Sequence, residues 1–102
     1  VDDLGAWWAQ VASQDAAEAG IKAKEYGSLD LVMIGAALRE MGVRAPMDVA
    51  DSELGVTFYA FGKMARVISA LSEGRVPSDD TWHDITVYST MVRRIRETGQ
   101  WP

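Results

Sequence analysis

The chain has 102 residues, 48% of them hydrophobic and 25% charged, with no cysteine and a formal net charge of −5. That length sets a single domain with one small core, and the missing cysteines exclude disulfides and thiolate metal sites. The acidic balance argues against general nucleic-acid binding, which gathers cations to displace counterions. No apolar run approaches the roughly 18 residues of a membrane span, and no signal-peptide pattern is visible. A cysteine-free chain of this kind suits a reducing cytoplasm. Val1 in place of methionine points to a trimmed or processed start.

Four segments carry helical signals, separated by glycine and proline. The first runs from about Asp3 to Tyr26, capped by Asp2 or Asp3 and stopped at Gly27. Trp7, Val11 and Ile21 share a face there, with Trp8 and Ala12 beside them, and Gly20 marks a bend or a close helix contact. The second follows Ser28 and ends at Met41, with Leu31, Ile34, Leu38 and Met41 as its buried stripe. "GVRAPMD" is then an irregular connection, because proline disfavours helix at the residue before it.

The third segment, from about Asp48 to Glu73, is the expected core helix. Leu54, Phe58, Phe61, Ala65, Ile68 and Leu71 or Ser72 lie along one face, and Gly74 and Pro77 end it. The fourth opens between Ser78 and Asp80 and closes at Gly99, with Thr81, Ile85, Tyr88, Val92 and Ile95 as its inward seam. Trp101 in the tail packs on the bundle or on a second subunit. These elements predict an all-α, four-helix-bundle-like domain spanning 1–102, associating through apolar helix faces.

Two constellations bear on chemistry. Asp80 and Asp84 lie one turn apart on the last helix, where they either share a hard cation such as magnesium or complement the helix dipole. The dipole accounts less well for Asp84, which lies past the first turn. Lys63 and Arg66 lie mid-helix, away from any helix end, so both cations either address one anion, pair with Asp80 and Asp84, or are simply exposed. Tyr59, four residues before Lys63, can meet a base or sugar, and Gly62 lets a backbone or ligand approach closely.

Other polar groups have local explanations. His83 is about 100° from Asp84 on the helix and forms no dyad with it; it reads as a surface or capping residue. Glu18, Lys22 and Glu25 read as a solvated face, as do Asp15 and Glu18. Arg93, Arg94 and Arg96 either complement the dipole of a last turn or form a local basic patch for nucleic acid, the reading that the net charge ranks last.

The order of "KEYGSLD" (24 to 30), "DVADSELGVTFYAFGKMAR" (48 to 66) and "DDTWHDITVY" (79 to 88) resembles phage-encoded, nucleotide-modification-associated helical proteins of the MazG-like type. These in turn resemble the all-α nucleoside triphosphate pyrophosphohydrolases. The resemblance covers about residues 18 to 98 through short motifs. It implies binding of a nucleotide and, where the metal site is complete, magnesium-dependent hydrolysis of a triphosphate to monophosphate and pyrophosphate.

On this resemblance Glu53, Asp80 and Asp84 hold Mg2+, while Tyr59, Lys63 and Arg66 bind the nucleotide. The family's second carboxylate pair is E-x-x-D, and "ELGV" carries Val56 where its aspartate stands; the first pair has only Asp15 and Glu18 as a candidate. The implied setting is the cytoplasm of an infected bacterial host, and the implied assembly a homodimer or higher oligomer. The competing expectation is a non-catalytic phage protein that binds a host protein through an apolar helix face, anchored by Trp7, Trp8 and Trp101.

Overall fold

The computed structural model describes residues 3–102. It contains four helices: α1 (Asp3–Ala23), α2 (Ser28–Glu40), α3 (Asp51–Ser72) and α4 (Asp79–Thr98). Among the described residues there is no strand, and the helices pack on one another as a bundle-like all-α domain. None of the helices is long and apolar enough to cross a membrane. Asp2 lies outside the described residues; Asp3 is the first residue of α1.

The helix ends follow local chemistry. The Ser78 hydroxyl accepts the Thr81 backbone N–H at 3.2 Å, and Asp79 and Asp80 fill the positive first turn of α4. At the other end Gly99 adopts φ 84° and returns its N–H to the Ile95 carbonyl, a left-handed cap that glycine takes without a side-chain clash. The helix α3 begins at Asp51 rather than Asp48 because the preceding loop has other partners. Arg39 reaches across from α2 to pair with Asp51 at 2.8 Å and to donate to the carbonyls of Ala45, Pro46 and Val49. One guanidinium thereby satisfies a loop that has no ladder of its own.

The middle of the fold is an antiparallel crossing of α2 on α3. A Cβ at Gly35 would collide with the Asp51 backbone, and one at Gly55 with the Leu31 backbone. The two helices therefore touch main chain to main chain. α4 lies along the other side of the same α3 face, and Leu31, Val56, Val87, Tyr88, Met91 and Ile95 form the buried centre. α1 approaches α4 alone and buries none of its residues completely, although Ala19 and Ala23 rest on the core.

Three side-chain expectations change. The stripe expected to be the core of α3 faces outward: Phe58, Phe61, Ala65, Ile68, Leu71 and Ser72 are exposed, and only Leu54 of that set is buried. The buried face instead holds Ser52, Gly55, Val56, Val67 and Ala70. Ser52, Gly55 and the half-buried Lys63 on that side dilute its apolar signal, so the outer stripe reads as the stronger one. In α1, Trp7, Trp8 and Ile21 are exposed. In α2, Leu31 is buried, Ile34 and Leu38 are half-buried, and Met41 is exposed.

Candidate functional site

Three helices meet at Asp84. It lies in the second turn of α4, and its side chain is only 9% exposed. One carboxylate oxygen takes the Lys22 ammonium from the end of α1 at 2.5 Å; the other takes the Lys63 ammonium from the middle of α3 at 2.9 Å. Lys22 also reaches Asp80, one turn before Asp84, at 2.7 Å. The result is a bridged cluster of two cations and two anions, balanced in formal charge.

The electrostatics follow from that geometry. Burial by itself pushes the Asp84 carboxyl up; hydrogen bonds from Lys22 and Lys63 more than offset it, and the group is held below its ordinary value of 3.8. Hydrogen bonds to Asp80 and Asp84 push Lys22 well above its ordinary value of 10.5, so it stays an ammonium throughout the neutral range.

Three tyrosines lie directly beneath. Tyr88, four residues after Asp84, is buried; Tyr59, four residues before Lys63, is half-buried. The Tyr26 and Tyr88 hydroxyls are 2.5 Å apart, and the Tyr59 and Tyr88 rings stack with centroids 6.1 Å apart. Tyr26 meets the other two edge-on at 5.5 and 5.3 Å. Burial, then the Tyr26 hydroxyl, raises the Tyr88 phenol well above its ordinary value of 10.0. The Trp101 indole N–H donates to the Tyr26 carbonyl at 3.0 Å, fixing the turn after α1 against the tail of the chain.

The predicted site residues divide. Lys63, Asp84 and Asp80 come together, and Tyr59 adjoins them. Arg66 does not join; it is exposed one turn further along α3, beside a separate hollow edged by Arg75, Ser78 and Thr81. Glu53 is also elsewhere. It accepts two hydrogen bonds from the Arg96 guanidinium, at 2.8 and 3.1 Å, and is held below its ordinary value of 4.5 by that contact. Ten helical residues separate it from Lys63, about 15 Å along the axis. The trio Glu53, Asp80 and Asp84 therefore does not converge on one ion.

The Lys22 ammonium occupies the ground between Asp80 and Asp84 where a magnesium ion was expected, and Lys63 holds the other oxygen of Asp84. Among the described residues no group of three or more histidine, aspartate or glutamate side chains is placed to hold a metal. The residues as they stand do not form a resident magnesium site. Val56, at the position of the expected aspartate, is 1% exposed and belongs to the core.

Two residues escaped sequence reading. Lys22 has Glu18 and Glu25 at helical spacing, which supplied a complete local explanation for it, whereas its actual partners are 58 and 62 residues away. His83 is not a surface residue. Its imidazole lies between Asp15 and Glu18 of α1, at 3.6 and 3.8 Å, with 15% of the side chain exposed. A signal for both did exist: Asp15, Glu18 and Lys22 fall on one side of α1 at spacings of three and four, matched by Asp80, His83 and Asp84 on α4. Comparison with protein-family models, with curated proteins and with solved structures found no match.

Proposed function

We propose that the chain is a MazG-like helical protein that binds the phosphate end of a nucleotide where α1, α3 and α4 meet. The observation that carries this reading is the bridge at Asp84, in which lysines from two helices converge on the two oxygens of one anionic group. A phosphate presents the same feature, several anionic oxygens on one centre, and lysine meets it as a point charge. Asp80 is the exposed member of the cluster, with 74% of its side chain open, and so yields Lys22 to a ligand at least cost. Tyr59, half-buried and one turn before Lys63, is the ring placed to meet a sugar or base, with the buried Tyr88 stacked behind it.

Magnesium enters this reading as the nucleotide's own counter-ion, since that ion binds through substrate phosphates with one or two carboxylates and keeps several waters. Asp80 is the carboxylate open to it. Binding without turnover fits best, because Val56 offers no oxygen and Glu53 is committed to Arg96.

A thermal-shift panel of ribo- and deoxynucleoside triphosphates tests the reading. At least one nucleotide is expected to raise the melting temperature, more with magnesium than with EDTA, by an amount equivalent to about 2.7 kcal/mol at a hundredfold excess over the dissociation constant. Lys63→Met removes the shift in both conditions. A flat response to the whole panel would sink the proposal. One observation favours a second reading: Trp7 and Trp8 are more than half exposed on α1. They suit anchors for a host protein, and a binding partner lost on Trp8→Ala, with no nucleotide response, would favour that reading. Trp101 is not such an anchor, being half-buried and bonded to Tyr26.

A further inference from the structure

α1 meets α4 through small side chains. Ala16, Ala19, Gly20 and Ala23 follow the spacing of one helix face, opposite Val87, Thr90 and Met91 of α4. Side chains this short do not fill the distance between the two helices. A slot of about 360 Å³ remains, bounded also by Trp101 and Pro102. A Cβ at Gly20 would meet nothing within 4 Å, so the wall stands clear of its neighbours there. A second hollow of about 390 Å³ shares Ala16, Ala19 and Thr90 with the first and carries it on to Trp7, Trp8 and Val11. Each lies at the lower end of the roughly 300–1,000 Å³ of small-molecule sites. The run of α1 from Trp8 to Ala23 is about 22 Å long, so the combined space is elongated.

The walls offer a ligand almost no hydrogen bonds. The Thr90 hydroxyl donates to the Thr86 carbonyl at 3.1 Å, and the Thr86 hydroxyl to the Trp82 carbonyl at 3.3 Å. The Trp101 indole N–H is taken by the Tyr26 carbonyl. A polar group placed in the slot would lose water without replacement, so an apolar occupant fits it.

The exception is at the tail end. Among the described residues Arg94 is the only charged one lining the first hollow, and its exposed guanidinium has no ion pair. Arg39, Arg75 and Arg96, by contrast, are committed to Asp51, Glu73 and Glu53. A guanidinium at the mouth of an apolar slot selects an anion, and its planar fork matches a carboxylate. The far end has the opposite sign, because Asp15 is the only charged residue lining the second hollow. The direction of the ligand is thereby fixed, with the anionic head at Arg94 and the apolar end toward Trp7 and Trp8. A membrane surface is a poorer occupant. Helices that lie on anionic lipid carry lysine and arginine along their polar face, whereas α1 has Asp3, Asp15 and Glu18 against Lys22.

We infer that the slot between α1 and α4 binds a monomeric fatty acid. An unbranched aliphatic chain lies along Ala16, Ala19, Gly20 and Met91, and Arg94 holds its carboxylate. The slot shares no residue with the cluster of Lys22, Lys63, Asp80 and Asp84, and nucleotide binding is not required for it.

Calorimetric titration with laurate, kept below its micelle concentration, is the test. One laurate is expected to bind per chain. Dodecyltrimethylammonium, with the same chain length and the opposite charge, binds more weakly, and butyrate is too short to bind detectably. Arg94→Gln weakens laurate about tenfold, the equivalent of one charge-assisted contact. Gly20→Leu fills the slot with its own side chain and removes binding. The open space at Gly20 lets that variant fold, which circular dichroism checks, and Ala16→Leu replaces it if it does not. Absence of saturable laurate binding overturns the inference, as does equal affinity for the two head charges or an affinity indifferent to Arg94→Gln and Gly20→Leu. Sedimentation with phosphatidylglycerol vesicles without binding of free laurate would mark a membrane-contact face instead. A dimer that takes up no laurate would mark a slot closed by a second copy. Either result overturns the fatty-acid site.

Discussion

Asp84 and Lys63 each lacked a local explanation in the sequence. Asp84 lies past the turn that a helix dipole favours, and Lys63 sits in mid-helix with no dipole to complement. The structure pairs them at 2.9 Å. Polar residues without a neighbour in sequence to satisfy them are therefore informative, because burial obliges them to find a partner elsewhere. Lys22 shows the converse, since glutamates at helical spacing concealed its distant partners. Asp84→Asn tests the cluster most directly: it leaves two ammonium groups facing each other without the bridging charge. Breaking a buried pair costs about 3–5 kcal/mol, and partial solvation of both lysines lowers the expected loss to about 2–3 kcal/mol. Urea unfolding measures it, and a loss under about 0.5 kcal/mol would mean that solvent already neutralises the cluster.

At the scale of elements, the number and order of the helices were legible, and their ends to within about three residues, because glycine and proline mark them: Gly27, Gly42, Gly74 with Pro77, and Gly99. The rotation of α3 about its axis was not. Two apolar stripes run along it, and periodicity alone cannot say which one meets the rest of the chain. Glycine settles the matter in three dimensions, because Gly35 and Gly55 allow α2 to lie against α3 along one line only. Gly55→Ala or Gly35→Ala should force the helices apart and cost about 3 kcal/mol or more, at the upper end of overpacking penalties. Gly20→Ala is the matched control. Its Cβ meets nothing within 4 Å in the last turn of α1, and the change should stabilise the chain by up to about 1 kcal/mol. Equal effects at Gly20 and Gly55 in denaturant titrations would refute the close crossing.

For the whole molecule, helix content followed from the sequence, but openness did not. Its radius of gyration is 15.5 Å, against about 13 Å for a compact chain of this length, because α1 leans on α4 alone. Amphipathic spacing gives each helix a side to bury and leaves open whether that side is buried within one chain. An open arrangement depends heavily on the few charged contacts that tie α1 down, and this dependence sets a pH window. Asp84 and Glu53 are held below their ordinary values of 3.8 and 4.5, so their contribution is complete above those values and is lost as pH falls through the lower folded ones. Lys22 and Tyr88 are raised above 10.5 and 10.0, so theirs is complete below those values and is lost as pH rises beyond them. Stability measured by urea midpoint should be level from about pH 5 to 9 and fall on both sides. Asp84→Asn should flatten the acid limb, whose slope it supplies at up to about 1.4 kcal/mol per pH unit, and also weaken the alkaline limb, because Lys22 loses one of the two carboxylates that hold its proton. An acid limb that keeps its slope in that variant would assign the acid sensitivity to other carboxylates and leave the α1 tie without an electrostatic basis.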